Sequence, residues 1–337
     1  MKALVLQQPG EVTIESVPDV TPVGDEVVLQ VRMIGLCGSD LNSYRGKNPM
    51  VTFPRIPGHE VSATVVHSSM SHPHLAAGTQ VTLSPYTQCG RCPSCLRGRP
   101  NACQFNETLG VQRHGALTEF IAIAPEKIYT ANLGLTELCL VEPLTVGFHA
   151  VARGRVTSAD TVAIIGCGGV GLGAVAAAGF RKARTIAIDV DDTKLAIALK
   201  AGATDAINTT RELLHERLLE LTGGRGPDVI IEAIGLASTF RAAVEEVAFT
   251  GRVVYIGYAK EAVAYETRLF VQKELDILGS RNALPEDFRE VIRMLEEGRF
   301  PVKEAVSNIV PLGEAPELLK AWSANPANFS KIMIQVS

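Results

Sequence analysis

The chain has 337 residues, enough for two domains. Apolar residues make up 46% and charged residues 20%, ordinary globular usage that excludes disorder and collagen-like structure. The charge balance is 32 − 36 = −4, and without a basic block in the chain it argues against a nucleic acid as partner.

The opening MKALVLQQPG has one lysine and a short apolar run cut off by Gln7, Gln8 and Pro9. That is too short for a secretory signal, so the expected compartment is the cytoplasm. The runs VVLQVRMI, VSATVV, TQVTLS and LTEFIAI then predict a β-rich first lobe. Among them, HSSMSHPHL gathers His67, His72 and His74, but its turn residues read as a solvated loop.

Four of the seven cysteines crowd together as C-x2-C-x2-C-x7-C, at Cys89, Cys92, Cys95 and Cys103. Cysteines so spaced cannot all pair as disulfides without strain. Four thiolates in a Pro/Gly-rich loop suit a closed tetrahedral zinc site that holds a lobe together, with an iron–sulfur centre as the alternative. Cys139 and Cys167, taken singly, read as small buried apolar residues.

From Thr161 onward, strand-like and helical runs alternate: TVAIIG, TIAIDV, DAINT, PDVIIEAIG, GRVVYIG and LDILGS, with helical stretches between them. This predicts an α/β architecture with a doubly wound parallel sheet. The window 161–180 is twenty uncharged residues, long enough to span a bilayer, yet it holds six glycines and starts as a β-rich run. It reads as a strand, a glycine turn and a helix, not a membrane span.

The turn is Gly166-Cys167-Gly168-Gly169-Val170-Gly171, a G-x-G-x-x-G between strand and helix. Gly166 suits the tight turn, Gly168 the approach of a pyrophosphate, and Gly171 the packing of helix on strand. Asp189 ends the next strand, eighteen positions after Gly171. There it can accept both adenine-ribose hydroxyls and repel a 2′-phosphate, which favours NAD over NADP; the plainer alternative is that it caps the following helix. Related turns also bind flavin nucleotides and S-adenosylmethionine.

Three further segments look like metal ligands: GLCGSD around Cys37, GHE at His59 and Glu60, and VEPL at Glu142. Together with the four-cysteine run, EPLTVGFHA, GCGGVG and GSRNA, they occur in one order over nearly the whole length. In this the chain resembles the zinc-dependent medium-chain dehydrogenases/reductases, in particular the polyol and sugar-acid branch around sorbitol, L-galactonate and L-gulonate dehydrogenases.

The resemblance implies a β-rich GroES-like catalytic domain over 1–146 carrying two zinc sites. A Rossmann NAD-binding domain over 147–286 follows, then a return to the catalytic domain over 287–337, with KIMIQV as a late strand. It implies a catalytic zinc held by Cys37 and His59 with Glu60 and Glu142 at or near it, directly or through water. Zinc would acidify the substrate hydroxyl while hydride passes to the nicotinamide, and Ser39 would be the first group to take the proton. Relatives commonly carry His three positions beyond Ser39, where this chain has Asn42, so the end of that relay is open. Arg281, with Asn282 beside it, matches an arginine that reaches the polyol and suits a sugar-acid carboxylate; the alternative is a cofactor-phosphate or domain contact. Tyr44 and Arg45 are further substrate candidates, and His149 is expected to pack at the domain junction. The expected reaction is reversible oxidation of a secondary hydroxyl of a sugar acid or polyol by a homo-oligomer. A threonine-type or other secondary-alcohol dehydrogenase is the alternative.

Overall fold

The computed structural model describes residues 1–337. In chain order its strands are β1 (Lys2–Gln8), β2 (Glu11–Ser16), β3 (Val27–Leu36), β4 (Glu60–His67), β5 (Gln80–Leu83), β6 (Phe120–Ile123), β7 (Ile128–Thr130), β8 (Thr161–Ile165), β9 (Arg184–Asp189), β10 (Asp205–Asn208), β11 (Val229–Glu232), β12 (Arg252–Tyr255), β13 (Asp276–Gly279), β14 (Val306–Pro311) and β15 (Lys331–Gln335). They fall into two compact units, Met1–Glu142 with Val302–Ser337, and Pro143–Pro301.

The first unit is built on strands. β1 and β2 form an antiparallel hairpin, and a seven-stranded sheet runs β14-β15-β3-β4-β5-β7 with β6 also on β3. β3 is long enough to serve two partners: its first half pairs with β6 and its last four residues with β15. Alternate residues Val27, Leu29 and Val31 are buried, the period-2 pattern of a strand with one face on the core. From Met33 to Leu36 every residue is buried, and Val61, Val81, Leu83, Ile332 and Trp322 belong to the same apolar cluster. The metal-ligand candidates leave the sheet where this doubly covered segment ends.

The second unit carries six parallel strands in the order β10-β9-β8-β11-β12-β13, with helices alternating along the chain. The central strands β8 and β11 are apolar and buried almost throughout, as expected of a sheet covered on both faces. Strand order reverses between β8 and β11, the kind of switch point at which open α/β sheets form a ligand crevice. The uncharged window 161–180 folds as β8, the glycine turn and the buried helix Gly169–Phe180. The helix that is long and apolar enough to cross a bilayer is Leu135–Arg153, and 72% of its apolar window is buried inside the protein, as for a core helix.

The chain re-enters the first unit at Val302, later than the expected 287. The reason is the helix Pro285–Glu296, whose Phe288, Val291 and Leu295 are buried. Its Asp287 pairs with His149 at 2.9 Å and its Glu290 with Arg181 at 3.1 Å, all within the second unit.

Candidate active site

Cys37 caps the helix Gly38–Tyr44 at the end of β3, and its backbone N–H donates to Asp40 Oδ2 at 2.9 Å. The other oxygen of Asp40 accepts from the Gly58 N–H at 3.3 Å and lies 3.8 Å from His59 Nδ1. One buried carboxylate thus ties the helix start to the loop that carries His59. Glu60 opens β4 directly across from Gly35 of β3. A Cβ on Gly35 would sit 2.0 Å from Glu60 Oε2, so only glycine admits the carboxylate there. The candidate ligand atoms of Cys37, His59 and Glu60 all lie within 4.8 Å of one another.

Two buried donors brace the carboxylates. Lys331 Nζ, on β15, donates to Glu60 Oε1 at 2.6 Å and Oε2 at 2.5 Å, and to the Leu36 carbonyl at 3.2 Å. The Tyr86 hydroxyl, beyond β5, donates to Glu142 Oε1. Burial drives Glu142 upward, and although His59 opposes it, the group reaches about 7. Burial also penalises a charged His59, but Asp40, Cys37 and Glu142 outweigh it and hold its pKa well above the ordinary value. Asp40, Cys37 and Glu142 are thus the negative groups that face this buried imidazole. Thiolate, imidazole and carboxylate converging there are a donor set suited to zinc.

Ser39 sits half-buried in the first turn of the helix that Cys37 caps, with Asn42 on the next turn. Tyr44 ends that helix. It is buried in the apolar cluster and its hydroxyl donates to the Gly10 carbonyl at 3.1 Å. Arg45 is likewise engaged, its Nε donating to Ser323 Oγ at 3.1 Å. Asp40, Tyr86 and Lys331 were not singled out from sequence.

The four-cysteine lobe gathers Cys89, Cys92, Cys95 and Cys103 with all sulfurs within 4.8 Å of one another. Cys92 Sγ lies 3.5 Å from Cys95 Sγ and 3.8 Å from Cys103 Sγ, far beyond a disulfide. Backbone N–H groups of Cys89 and Phe105 point at Cys103 Sγ, and that of Cys92 at Cys89 Sγ. The Ser94 hydroxyl and backbone donors pull the Cys92 thiol down to about 5, while burial and the hydrogen bond to Cys92 push its partner Cys95 up to about 11. Donors aimed at sulfur suit a tetrathiolate metal site.

In the second unit, Gly166 adopts φ +96, and a Cβ on Gly171 would lie 1.7 Å from the Gly166 carbonyl oxygen. These two glycines let the helix close onto the strand. Gly168 and Gly169 differ: no atom lies within 4 Å of where a Cβ would stand on either. With Val170 they form an open first turn whose free N–H groups suit phosphate oxygens. Asp189 Oδ2 accepts from the Cys167 N–H at 2.8 Å, and Oδ1 from the Val190 and Asp191 N–H groups at 2.8 and 3.1 Å. It therefore ties the end of β9 to the glycine turn. The cap of the next helix is Asp191 instead. Arg281 and Asn282 lie on the turn after β13, with Asn282 in the left-handed region at φ +52.

A profile of alcohol dehydrogenase GroES-like domains matches residues 24–132, and one of zinc-binding dehydrogenases matches residues 169–297. Over 336 residues the chain is 34% identical to a zinc-type alcohol dehydrogenase-like protein of Haemophilus influenzae, covering 98% of each. It is 34% identical to a sorbitol dehydrogenase of Bacillus subtilis, over 83% of this chain and 81% of that one. It is also 28% identical to an L-galactonate-5-dehydrogenase of Escherichia coli, over 94% of each. Among solved structures, an Escherichia coli alcohol dehydrogenase complexed with NADH superposes with a TM-score of 0.92 at 26% identity, covering 100% of this chain and 99% of that one.

Proposed function

This chain belongs to the zinc-binding alcohol dehydrogenases, and from that premise we propose that it oxidises a secondary hydroxyl of a sugar acid or polyol to a ketone with NAD as hydride acceptor. The observation that carries the reading is the convergence of Cys37, His59 and Glu60, with Glu142 braced by Tyr86 in the same unit. Zinc held there supplies Lewis acidity to a substrate hydroxyl. Cys37 and His59 would bind the ion, with the Asp40 carboxylate 3.8 Å from the imidazole Nδ1 as its counter-charge. Ser39 Oγ takes the proton released from the substrate, and with Asn42 in place of an imidazole, water completes its route. A carboxylate in place of a second thiolate makes the ligand set harder, which suits a hydroxyl-rich substrate. Asp189 favours a ribose diol over a phosphomonoester, hence NAD.

Arg281 is the proposed substrate-recognition residue, its planar guanidinium matched to a sugar-acid carboxylate. Self-association is part of the proposal: β13 ends its sheet with one side unpaired, and Ile277 and Val271 are exposed. The test is a panel of L-gulonate, L-galactonate, sorbitol, galactitol and L-threonine with NAD and NADP, alongside zinc analysis and light scattering. The reading expects turnover of a sugar acid or polyol with NAD. For Arg281→Ala it expects KM to rise about tenfold or more for the acids and little for neutral polyols. Turnover of L-threonine or primary alcohols alone would overturn it.

A further inference from the structure

The turn after β10 sets a cation beside the acidic end of β9. Asn208, the last residue of β10, is buried and pairs directly with Asp189 across the ladder. Its Nδ2 donates to the Val190 carbonyl at 3.3 Å and to Asp192 Oδ1 at 2.7 Å. Its Oδ1 accepts from Thr210 N and Oγ1 at 3.0 and 2.6 Å, the Thr209 N–H donates to the Asp189 carbonyl at 3.2 Å, and the Arg211 N–H donates to the Asn208 carbonyl at 3.1 Å. This web fixes where the Arg211 side chain starts. Its guanidinium then meets Asp192 with both forks, Nη1 to Oδ2 at 2.6 Å and Nη2 to Oδ1 at 2.7 Å.

Asp189, three residues before Asp192, has both carboxylate oxygens on backbone N–H groups and so holds its charge in a fixed place. A nucleotide with a 2′-phosphate at this strand end meets that charge and needs a cation to offset it. Arg211 is the fork-shaped cation within this web, and a guanidinium is matched to phosphate by two parallel bonds. In this chain those bonds are taken.

We propose that Asp192 is a second determinant of cofactor choice: by clamping Arg211 in a bidentate pair it withholds the guanidinium that a 2′-phosphate beside Asp189 would require. The strand end then discriminates twice, through repulsion by Asp189 and through occupation of Arg211. This rests on the reading of the glycine turn and Asp189 as the dinucleotide site. The Asp192 and Arg211 side chains are 60% and 61% exposed, so substitutions there leave the core intact and the clamp is within reach of salt.

The test measures binding of adenosine 2′,5′-bisphosphate and of 5′-AMP to the zinc-loaded full chain by calorimetry at low ionic strength. Asp192→Asn is expected to tighten the bisphosphate about threefold to fivefold and to leave 5′-AMP within about twofold. Arg211→Gln alone is expected to change the bisphosphate by less than about twofold, because the guanidinium is already engaged. The double variant is expected to lose the gain. The proposal is overturned if Asp192→Asn leaves bisphosphate binding unchanged, or if the double variant keeps the gain, which would assign it to Lys194 or another cation. It is equally overturned if Arg211→Gln weakens the bisphosphate as much in the parent as in the Asp192→Asn background, the signature of a general field. A parent chain that takes up neither probe overturns the dinucleotide reading itself, and this proposal with it.

Discussion

Lys331 Nζ reaches both oxygens of Glu60, at 2.6 and 2.5 Å, across 271 residues of sequence. Both side chains are buried. The nearby negative charge, Glu60 foremost, outweighs burial and holds the ammonium above its ordinary pKa. Glu60 is thereby neutralised by a charge of its own, whereas the donor to Glu142, a tyrosine hydroxyl, carries none.

Breaking this pair from one side leaves a buried carboxylate without its counter-charge. Lys331→Met is expected to cost about 3–5 kcal/mol in unfolding free energy, read as a fall in denaturant midpoint. Adding Glu60→Gln to Lys331→Met is expected to recover most of that loss. A double variant no more stable than Lys331→Met would show that Lys331 acts through packing and not through Glu60.

Glu142 gives a pH prediction for chelator-treated protein. Its folded-state pKa is about 7 against an ordinary 4.5. Between those values the folded chain holds a proton that the unfolded chain has released, so stability falls as pH rises through the window. Relative to Glu142→Gln, the parent is expected to lose on the order of 3 kcal/mol between about pH 4.5 and about pH 8. Equal pH slopes for the two proteins in urea titrations would contradict this. Zinc affinity runs the other way and rises with pH, because the ligands must be deprotonated.

The two kinds of glycine in the G-x-G-x-x-G turn separate fold from binding. Gly171→Ala places a carbon 1.7 Å from a carbonyl oxygen and is expected to destabilise the second unit outright. Gly168→Ala meets no protein atom within 4 Å and keeps φ −71. It is expected to leave Tm within about 2 °C while raising the Kd for NADH about tenfold or more. NADH titration by fluorescence with parallel melting curves checks both. Unchanged NADH affinity in Gly168→Ala would remove the turn from the cofactor site.

What was legible in the sequence is what is local. The spacing of Cys89, Cys92, Cys95 and Cys103 and the run from Gly166 to Gly171 each fold from a few neighbouring residues, so spacing alone carried their geometry. The alternation of strands and helices likewise gave the parallel sheet. Lys331 and Tyr86 were invisible because their partners lie 271 and 56 residues away, and a lone lysine in KIMIQV reads like any strand-end charge. The surroundings of Tyr44 were illegible for the converse reason. This residue stands in a segment resembling a substrate-contacting one, but helix geometry turns its ring into the core and its hydroxyl to Gly10. The boundary near 287 failed because nothing in PEDFREVIRMLE states which unit its apolar face will cover; the ion pairs of Asp287 and Glu290 decide that only in three dimensions.

The pairing of β15 with β3 also has a kinetic consequence. The second unit is one continuous stretch, whereas the first unit's sheet cannot close until β15 has returned across an insertion of well over a hundred residues. Non-local closure of this kind is slow, because the entropy of the long loop is lost before any contact offsets it. Once compact, the insertion shortens the effective loop that this closure must span. The brace of Glu60 by Lys331 is complete only when that closure is.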